Sequence, residues 1–342
     1  MVTWHMGIAA AATRYVRGTL AGAIALLVVS STGCGYVARQ GLIVYLKVRS
    51  EITPNEIEIE LEKSFVERYK DRVEIDATFT VDQSAPGPAI REIDGDLHFA
   101  GRAPEIALVA VAEISNADSY KRAVDRVHLA DSTRKPVSMT GVWRIWPEHA
   151  GHGKVEQGKS VPPLESIRPD HVFEIHPVTR LDRISLLSSF TPVKGFSPGD
   201  AGDTFAIYEH APCKIVVKPA TITIATHKGL YNDVEFLVQL TDDAQQVVSD
   251  GRFVFASALD VNGKVVAERV RIVFAKGTPP EQAVRRLRPG ERLHVFGIPR
   301  VNFAELWRRV QAANSDPTQL SRTLPYEIVA LGVFEPGTGR VP

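Results

Sequence analysis

The stretch Val73-Glu74-Ile75-Asp76-Ala77-Thr78-Phe79-Thr80-Val81 alternates apolar and polar side chains over nine residues. Successive side chains of a β-strand point to opposite faces, so this alternation predicts a strand with one buried and one polar face. No other segment indicates a half-buried strand as clearly. We therefore expect the folded body of the protein to begin here.

The first half of the chain then predicts three strands, a helix and two further strands. The strands are expected at 73–81, 96–101, 106–114, 137–146 and 171–181, and the helix at 118–129. This order of elements is typical of an OB-type barrel, a small closed barrel of five strands whose outer face and loops commonly bind ligands.

The second half repeats the same plan. Strands are expected at 233–240, 251–260, 265–274, 293–301 and 326–334, with a helix that begins at Pro279 after the third strand. Gly141-Val142-Trp143-Arg144 corresponds to Gly297-Ile298-Pro299-Arg300, and Phe173-Glu174-Ile175 corresponds to Tyr326-Glu327-Ile328. The chain is therefore predicted to be mainly β with short helices (α+β), with two OB-like five-stranded barrels related by duplication.

Five regions follow from this interpretation. Residues 1–33 form a signal peptide or membrane anchor, 34–72 a spacer with a short helix, 73–183 barrel 1, 184–216 a linker rich in Ser, Pro and Gly, and 217–342 barrel 2. The spacer helix is expected to start at Pro54-Asn55 and to bury Phe65, Val66 and Tyr69.

The N-terminus predicts export. Arg14 and Arg17 precede the apolar run from Leu20 to Val29, and small residues follow up to Cys34, in the order of a secretory signal. Cys34 after Gly33 also suits lipidation, although Ser31 stands where leucine is usual. Alternatively, 18–38 remains as one membrane-spanning helix. Both alternatives predict an extracytoplasmic, membrane-anchored protein of the cell envelope. A lipidated Cys34 would leave Cys213 as an unpaired, buried thiol.

The overall charge argues against nucleic acid as a partner. Forty basic and forty acidic residues give a net charge of zero and a pI near 7.2, so the chain has no global basic field. A cluster of Arg285, Arg286, Arg288 and Arg292 is most simply a solvated face, although it could also touch an anionic surface.

Strand alternation places ionisable and aromatic side chains on one outer face of barrel 1, which we predict as the binding face. Its members are Asp96, His98, Arg144, Trp146, Glu174 and His176. Glu113, Glu148 and His149 lie at strand ends beside it. Barrel 2 retains Arg300 and Glu327 but has Val329 in place of His176, so only barrel 1 is expected to carry chemistry.

Each of these features also has a structural interpretation. Asp94-Gly95-Asp96 is an ordinary turn sequence. Arg144 and Glu174 suit an exposed cross-strand ion pair. Trp143 and Trp146 are more often packing residues than stacking platforms, and His149 with His152 makes only a loosely spaced metal motif.

Three short motifs together resemble a group of uncharacterised exported bacterial proteins. They are Asp94-Gly95-Asp96-Leu97-His98, the segment from Val137 to Val142 (Val-x-x-Thr-Gly-Val), and Glu174-Ile175-His176-Pro177-Val178. The resemblance covers roughly residues 73 to 181. It implies an OB-like domain and carries over no activity.

Three classes of function remain open. The first, which we favour, is an exported, membrane-tethered protein whose barrel face binds an envelope glycan or a peptide, with Trp146 stacking on the ligand. The alternative is a metal-dependent hydrolase with Asp96, His98, Glu174 and His176 as candidate ligands. The third is a structural assembly protein. The sequence identifies no cofactor and leaves open whether the protein is an enzyme.

Overall fold

Strands make up most of the chain in the computed structural model, which describes residues 56–87, 95–151, 153–192, 197–313 and 320–334. The strands are β1 (Glu56–Glu62), β2 (Glu74–Ser84), β3 (Leu97–Arg102), β4 (Ala110–Ile114), β5 (Val137–Ile145), β6 (Gly153–Glu156), β7 (Phe173–Leu181), β8 (Ile184–Ser185), β9 (Pro212–Val217), β10 (Thr221–His227), β11 (Val234–Val248), β12 (Gly251–Leu259), β13 (Val265–Ala275), β14 (Arg292–Val301), β15 (Ser321–Thr323) and β16 (Tyr326–Val333). The α-helices are α1 (Lys63–Tyr69), α2 (Lys121–Thr133), α3 (Ala201–His210), α4 (Pro279–Val284) and α5 (Phe303–Ala312).

Barrel 1 is closed by β2, β3, β4, β7 and β5, in that order around the ring. Its third and fifth strands, β4 and β7, pair in parallel, and the other neighbours pair antiparallel. Helix α2 lies between the third and fourth strands in sequence. This is the predicted OB-like order of elements, and the predicted barrel is confirmed.

Barrel 2 repeats the arrangement with β11, β12, β13, β16 and β14. Its third and fifth strands, β13 and β16, again pair in parallel, and α4 again follows the third strand. The predicted fold class, mainly β with two OB-like barrels, is therefore confirmed. The main difference in strand length is β11, which runs on to Val248 as one arm of a long hairpin with β12.

A third sheet, in the order β15-β9-β10-β1-β6, was not predicted. The helix expected from Pro54-Asn55 is wrong, because Glu56–Glu62 alternates glutamate with Ile57, Ile59 and Leu61 and forms β1, with the apolar side chains buried. Helix α1 begins only at Lys63. It buries Phe65, Val66 and Tyr69, which were the apolar residues expected of the spacer helix.

The segment 184–216, predicted as a linker, contains α3 and β9. Helix α3 has a specific start, because the Asp200 side chain accepts hydrogen bonds from the backbone N–H groups of Gly202 and Asp203. Strand β9 places Cys213 in the core as a free thiol, and burial raises its pKa to about 12. From Glu56 onward the described residues form one compact unit.

The predicted signal or anchor at 1–33 and the predicted lipidation site Cys34 lie outside the described residues. Within the described part, no helix has both the length and the apolar composition needed to cross a bilayer.

A repeated glycine lets the fourth strand of each barrel pass close to the fifth. A Cβ atom on Gly141 would overlap Cγ2 of Ile175, and one on Gly297 would lie 2.7 Å from Cγ2 of Ile328. The pairing register shifts next to both glycines. The matching segments of the sequence thus occupy equivalent places and make equivalent contacts in the two barrels.

Two buried arginines join the barrels in a reciprocal way. Arg144 of β5 donates from Nε to the carbonyl oxygen of Pro299 (2.8 Å), and Arg300 of β14 donates from Nη1 to the carbonyl oxygen of Trp143 (2.9 Å). Each arginine therefore bonds to the residue that precedes the other. Each also pairs with the glutamate opposite it on the fifth strand, Glu174 at 2.5 Å and Glu327 at 2.7 Å.

The stability of the protein is expected to depend on pH through Glu74, a half-buried residue of β2. Burial raises the pKa of its carboxyl to about 7, although the hydroxyl of Thr179 donates a hydrogen bond to it. The folded state therefore holds a proton that the unfolded state releases near pH 4.5, and stability falls as the pH rises between about 4.5 and 7. Above about pH 7 the stability stays at this lower level, because Glu74 is then ionised in both states.

The variant Glu74→Gln should match the parent near pH 4 and exceed its free energy of unfolding by about 1 to 3 kcal/mol near pH 8. Urea denaturation at the two pH values measures this difference. Glu58→Gln, on the exposed face of β1, is the control and should change little at either pH. An equal effect of Glu74→Gln at both pH values would contradict the assigned burial.

Candidate functional site

His176 of β7 lies among three carboxylates. Its Nε2 is 3.2 Å from Oδ2 of Asp96, and its Nδ1 is 3.3 Å from Oε2 of Glu113 and 3.6 Å from Oε2 of Glu174. All four residues are buried. The structure therefore brings together three of the predicted face residues, and His98 joins them through Glu113, at 3.3 Å from its Nε2.

The registers of neighbouring strands explain this convergence. Glu113 of β4 pairs directly with His98 of β3, and Val111 of β4 pairs with Glu174 of β7. Glu113 and His176 each lie two residues further along these parallel strands than Val111 and Glu174. Because side chains two residues apart on a strand share a face, Glu113 and His176 lie beside each other.

The predicted binding face is not open to solvent, which corrects the sequence-based expectation. Barrel 2 and the segment before it cover it: Arg144 donates to Oδ1 of Asn232 (2.6 Å), and Trp146 donates from Nε1 to the carbonyl oxygen of Tyr231 (3.2 Å). Trp146 is 2% exposed and meets the Tyr208 ring edge-on. It packs in the core and has no free face on which a ligand could stack.

Glu174 is the charge partner of Arg144. The pair is buried, in contrast to the exposed pair expected from the sequence. His171 adds a contact from its Nε2 at 3.2 Å. Burial alone would raise the pKa of Glu174, but Arg144, His171 and His176 more than offset it and hold that pKa well below the usual range.

Opposing effects act on the groups around His176. Burial would lower the pKa of its imidazole, yet the charges of Glu113, Asp96 and Glu174 hold it well above the ordinary value. The pKa of Glu113 is raised, because the effect of burial is larger than the opposite effect of the nearby His176 and His98. The raised pKa favours a protonated His176, and its positive charge acts together with that of Arg144 to offset the carboxylates of the cluster.

Asp96, Glu113 and His176 can each offer one donor atom, and these atoms lie within 4.8 Å of one another. Ligand atoms about 2.1 Å from a tetrahedral or octahedral ion lie roughly 3 to 4.2 Å apart. Asp96 contacts Nε2 of the ring and Glu113 contacts Nδ1, so one carboxylate must move for both to share an ion with the same nitrogen. Nδ1 of His176 is buried and makes no hydrogen bond, because its contact with Glu113 lacks the required angles.

Asp96 itself is held in place. Its Oδ2 accepts a hydrogen bond from the hydroxyl of Ser115 and its Oδ1 accepts one from the backbone N–H of Asn116, both at 3.3 Å. Gly95 has φ of 71°, as a turn requires, so the turn interpretation of this sequence also applies. Asp94 lies outside the described residues.

A cleft of about 490 Å³ reaches the cluster. Imidazole and carboxylate side chains dominate its lining, which includes His98, Glu113, His149, His171 and His176. The rings of His149 and His171 stack with centroids 5.2 Å apart, and burial lowers the pKa of His149 to about 4. His149 is therefore neutral at physiological pH, while His152 lies outside the described residues.

Glu113 was expected only beside the predicted face, because a residue near a strand end has no clear periodic signal. The structure makes it central, since it contacts both His98 and His176. Aligning the two strands of the β3–β4 hairpin would have identified Glu113, because it pairs directly with His98.

Comparison with known proteins found similarity only among solved structures. No protein-family model matches the chain, and no curated protein matches it. Among solved structures, a deletion mutant of the single-stranded DNA-binding protein from Thermus aquaticus matches with 13% identity and a TM-score of 0.20. The match covers 79% of this chain and 96% of that one.

The sequence predicted an envelope glycan or a peptide as a possible partner and nucleic acid as an unlikely one, and the second prediction needs correction. Besides the zero net charge, that prediction assumed that the acidic residues of the predicted face are exposed, but Asp96 and Glu174 are 4% and 3% exposed and present no acidic surface. The prediction against nucleic acid is therefore withdrawn. At a TM-score of 0.20 the likeness carries no argument for any particular ligand of this chain.

Proposed function

We propose that this protein is a binding protein that takes up a divalent transition-metal cation at the floor of the barrel 1 cleft. Asp96, Glu113 and His176 are the ligands. The observation that carries the proposal is His176, which is 7% exposed and whose Nδ1 makes no hydrogen bond although it lies 3.3 Å from a carboxylate oxygen atom of Glu113. A buried polar atom without a hydrogen bond is costly, and a coordinated ion removes that cost.

The donor set indicates the class of ion. One imidazole with two carboxylates suits zinc, manganese or ferrous iron, whereas magnesium and calcium prefer oxygen alone. The bonds from Ser115 and Asn116 orient Asp96, as outer hydrogen bonds orient the ligands of metal sites.

Binding is favoured over the hydrolase alternative. That alternative used Glu174 as a fourth ligand, but Arg144 and His171 already engage both of its oxygen atoms. His98, another of its ligands, contacts Glu113 and has its side chain partly in solvent.

Isothermal titration of the metal-free full chain with Zn²⁺ tests the proposal. We expect one site per chain, weakened on the order of 100-fold or more by His176→Ala and by Glu113→Gln. His294→Ala is the matched control, because His294 also contacts a buried glutamate, Glu235 at 2.8 Å, outside the cation cluster. Absence of binding in the parent, or equal affinity in parent and His176→Ala, would refute the site.

Export is a separate proposal, supported by the order of residues in 1–33. A protein with this N-terminus should be recovered from the extracytoplasmic fraction of a bacterial host, and a variant without 1–33 should stay in the cytoplasm. Immunoblotting of the two fractions distinguishes these outcomes.

A further inference from the structure

Barrel 2 carries a second cleft, of about 720 Å³, at the end of the β11–β12 hairpin beside α4. Its lining includes Val247, Arg252, Lys276, Glu281, Arg285 and Arg286. This cleft shares no lining residue with the one on barrel 1. Its size falls within the range of ligand-binding pockets.

The floor of the cleft holds a fixed guanidinium. Arg252 donates from Nε to Oε1 of Glu281 (2.9 Å) and from Nη1 to Oε1 of Gln245 (2.6 Å). Glu281 is buried and also accepts from the backbone N–H of Gly277 at 3.3 Å. The orientation of Arg252 is therefore set before any ligand arrives, which lowers the entropic cost of binding.

The rim of the cleft adds exposed positive charge. Lys276, Arg285 and Arg286 are exposed, and Arg285 lies 3.9 Å from Glu281, beyond hydrogen-bonding distance. Among the described residues, the guanidinium of Arg286 has no hydrogen-bond or ion-pair partner. Four cations thus face one carboxylate in a chain whose net charge is zero, so the cleft is a local site for anions.

An apolar side chain stands beside these cations. Val247 is 67% exposed at the edge of the cleft, the most exposed large hydrophobic residue of the described chain. A ligand with both anionic and apolar parts would cover it, whereas free phosphate would leave it in water.

We propose that this cleft binds single-stranded nucleic acid. The phosphates lie against Lys276, Arg285 and Arg286, and a base or sugar covers Val247. Guanidinium groups pair with phosphate oxygens in a two-pronged way that suits this role. A concave site fits one strand better than a duplex or a flat membrane. The proposal is independent of the cation site, since it uses other residues of another barrel.

Fluorescence anisotropy of the full chain with a labelled oligothymidylate of about 20 nucleotides tests this inference. At about 50 mM salt, Arg285→Gln with Arg286→Gln should weaken binding on the order of tenfold. The slope of log affinity against log salt should become shallower by about 0.7 for each phosphate that the variant no longer neutralises. Arg288→Gln with Arg292→Gln removes the same charge just outside the cleft, and should change the affinity little.

Three results would overturn the proposal: no oligonucleotide binding by the parent, an equal drop in affinity in the two double variants, or binding to phosphatidylglycerol vesicles but not to the oligonucleotide. Thermal unfolding of both double variants should match the parent, because all four arginines lie at the surface.

Discussion

Replacing Glu327 by glutamine is expected to lower the free energy of unfolding by about 3 to 5 kcal/mol. Its carboxylate lies between two guanidinium groups, at 2.9 Å from Nη1 of Arg271 and 2.7 Å from Nε of Arg300. These arginines are 3% and 0% exposed. Glutamine keeps the shape of the side chain but removes the charge that the two buried cations share. Arg271 would keep one acidic neighbour, Asp71 at 3.4 Å, and Arg300 would keep only uncharged carbonyl groups as acceptors among the described residues.

The pKa of Arg300 shows how unfavourable this environment already is for a cation. Burial lowers it to about 10, although Glu327 acts in the opposite direction. Chemical denaturation of Glu327→Gln measures the cost. Glu305→Gln is the control, because Glu305 also contacts two arginines, Arg308 and Arg309, but is partly exposed. A decrease below about 1 kcal/mol in both variants would mean that the junction of the barrels does not depend on this charge.

Truncating Trp143 to alanine should cost about 3 to 5 kcal/mol. The indole is fully buried between the barrels, stacked on Phe303 with ring centroids 4.5 Å apart, and the guanidinium of Arg300 lies 3.6 Å from its centroid. Its Nε1 donates to the carbonyl oxygen of Arg72 at 2.8 Å. Alanine would remove the packing, the cation–π contact and the hydrogen bond together.

Trp307→Ala provides the comparison for this second variant, since Trp307 of α5 is only half-buried. We expect it to lower the free energy of unfolding by about 1 to 2 kcal/mol, clearly less than Trp143→Ala. An equal loss of unfolding free energy in the two variants would contradict the central role of Trp143 in the core.

The barrels could be predicted because each of their strands carries its own local signal. The alternation of 73–81 and the turns between later strands follow from side-chain geometry within short segments. The third sheet could not be predicted in this way, because its five strands come from distant parts of the chain and some are very short, such as β15 and β6. The alternation of β1 was visible, but the neighbouring Pro54-Asn55 favoured a helix.

The membership of the cluster around His176 was also largely predictable, because strand alternation determines which side chains share a face. Its burial was not predictable. The residues that bond to Arg144 on this face, Asn232 and Pro299, are distant in sequence, and the packing of barrel 2 and the segment before it brings them there. The same packing places Trp146 in the core and leaves its indole no role in stacking.

The most direct test of the cation site is a crystal structure of the full chain grown with Zn²⁺, with anomalous data collected at the zinc absorption edge. The site predicts one strong anomalous peak within about 2.0 to 2.2 Å of donor atoms from Asp96, Glu113 and His176. A zinc-saturated crystal without a peak at these residues would contradict it.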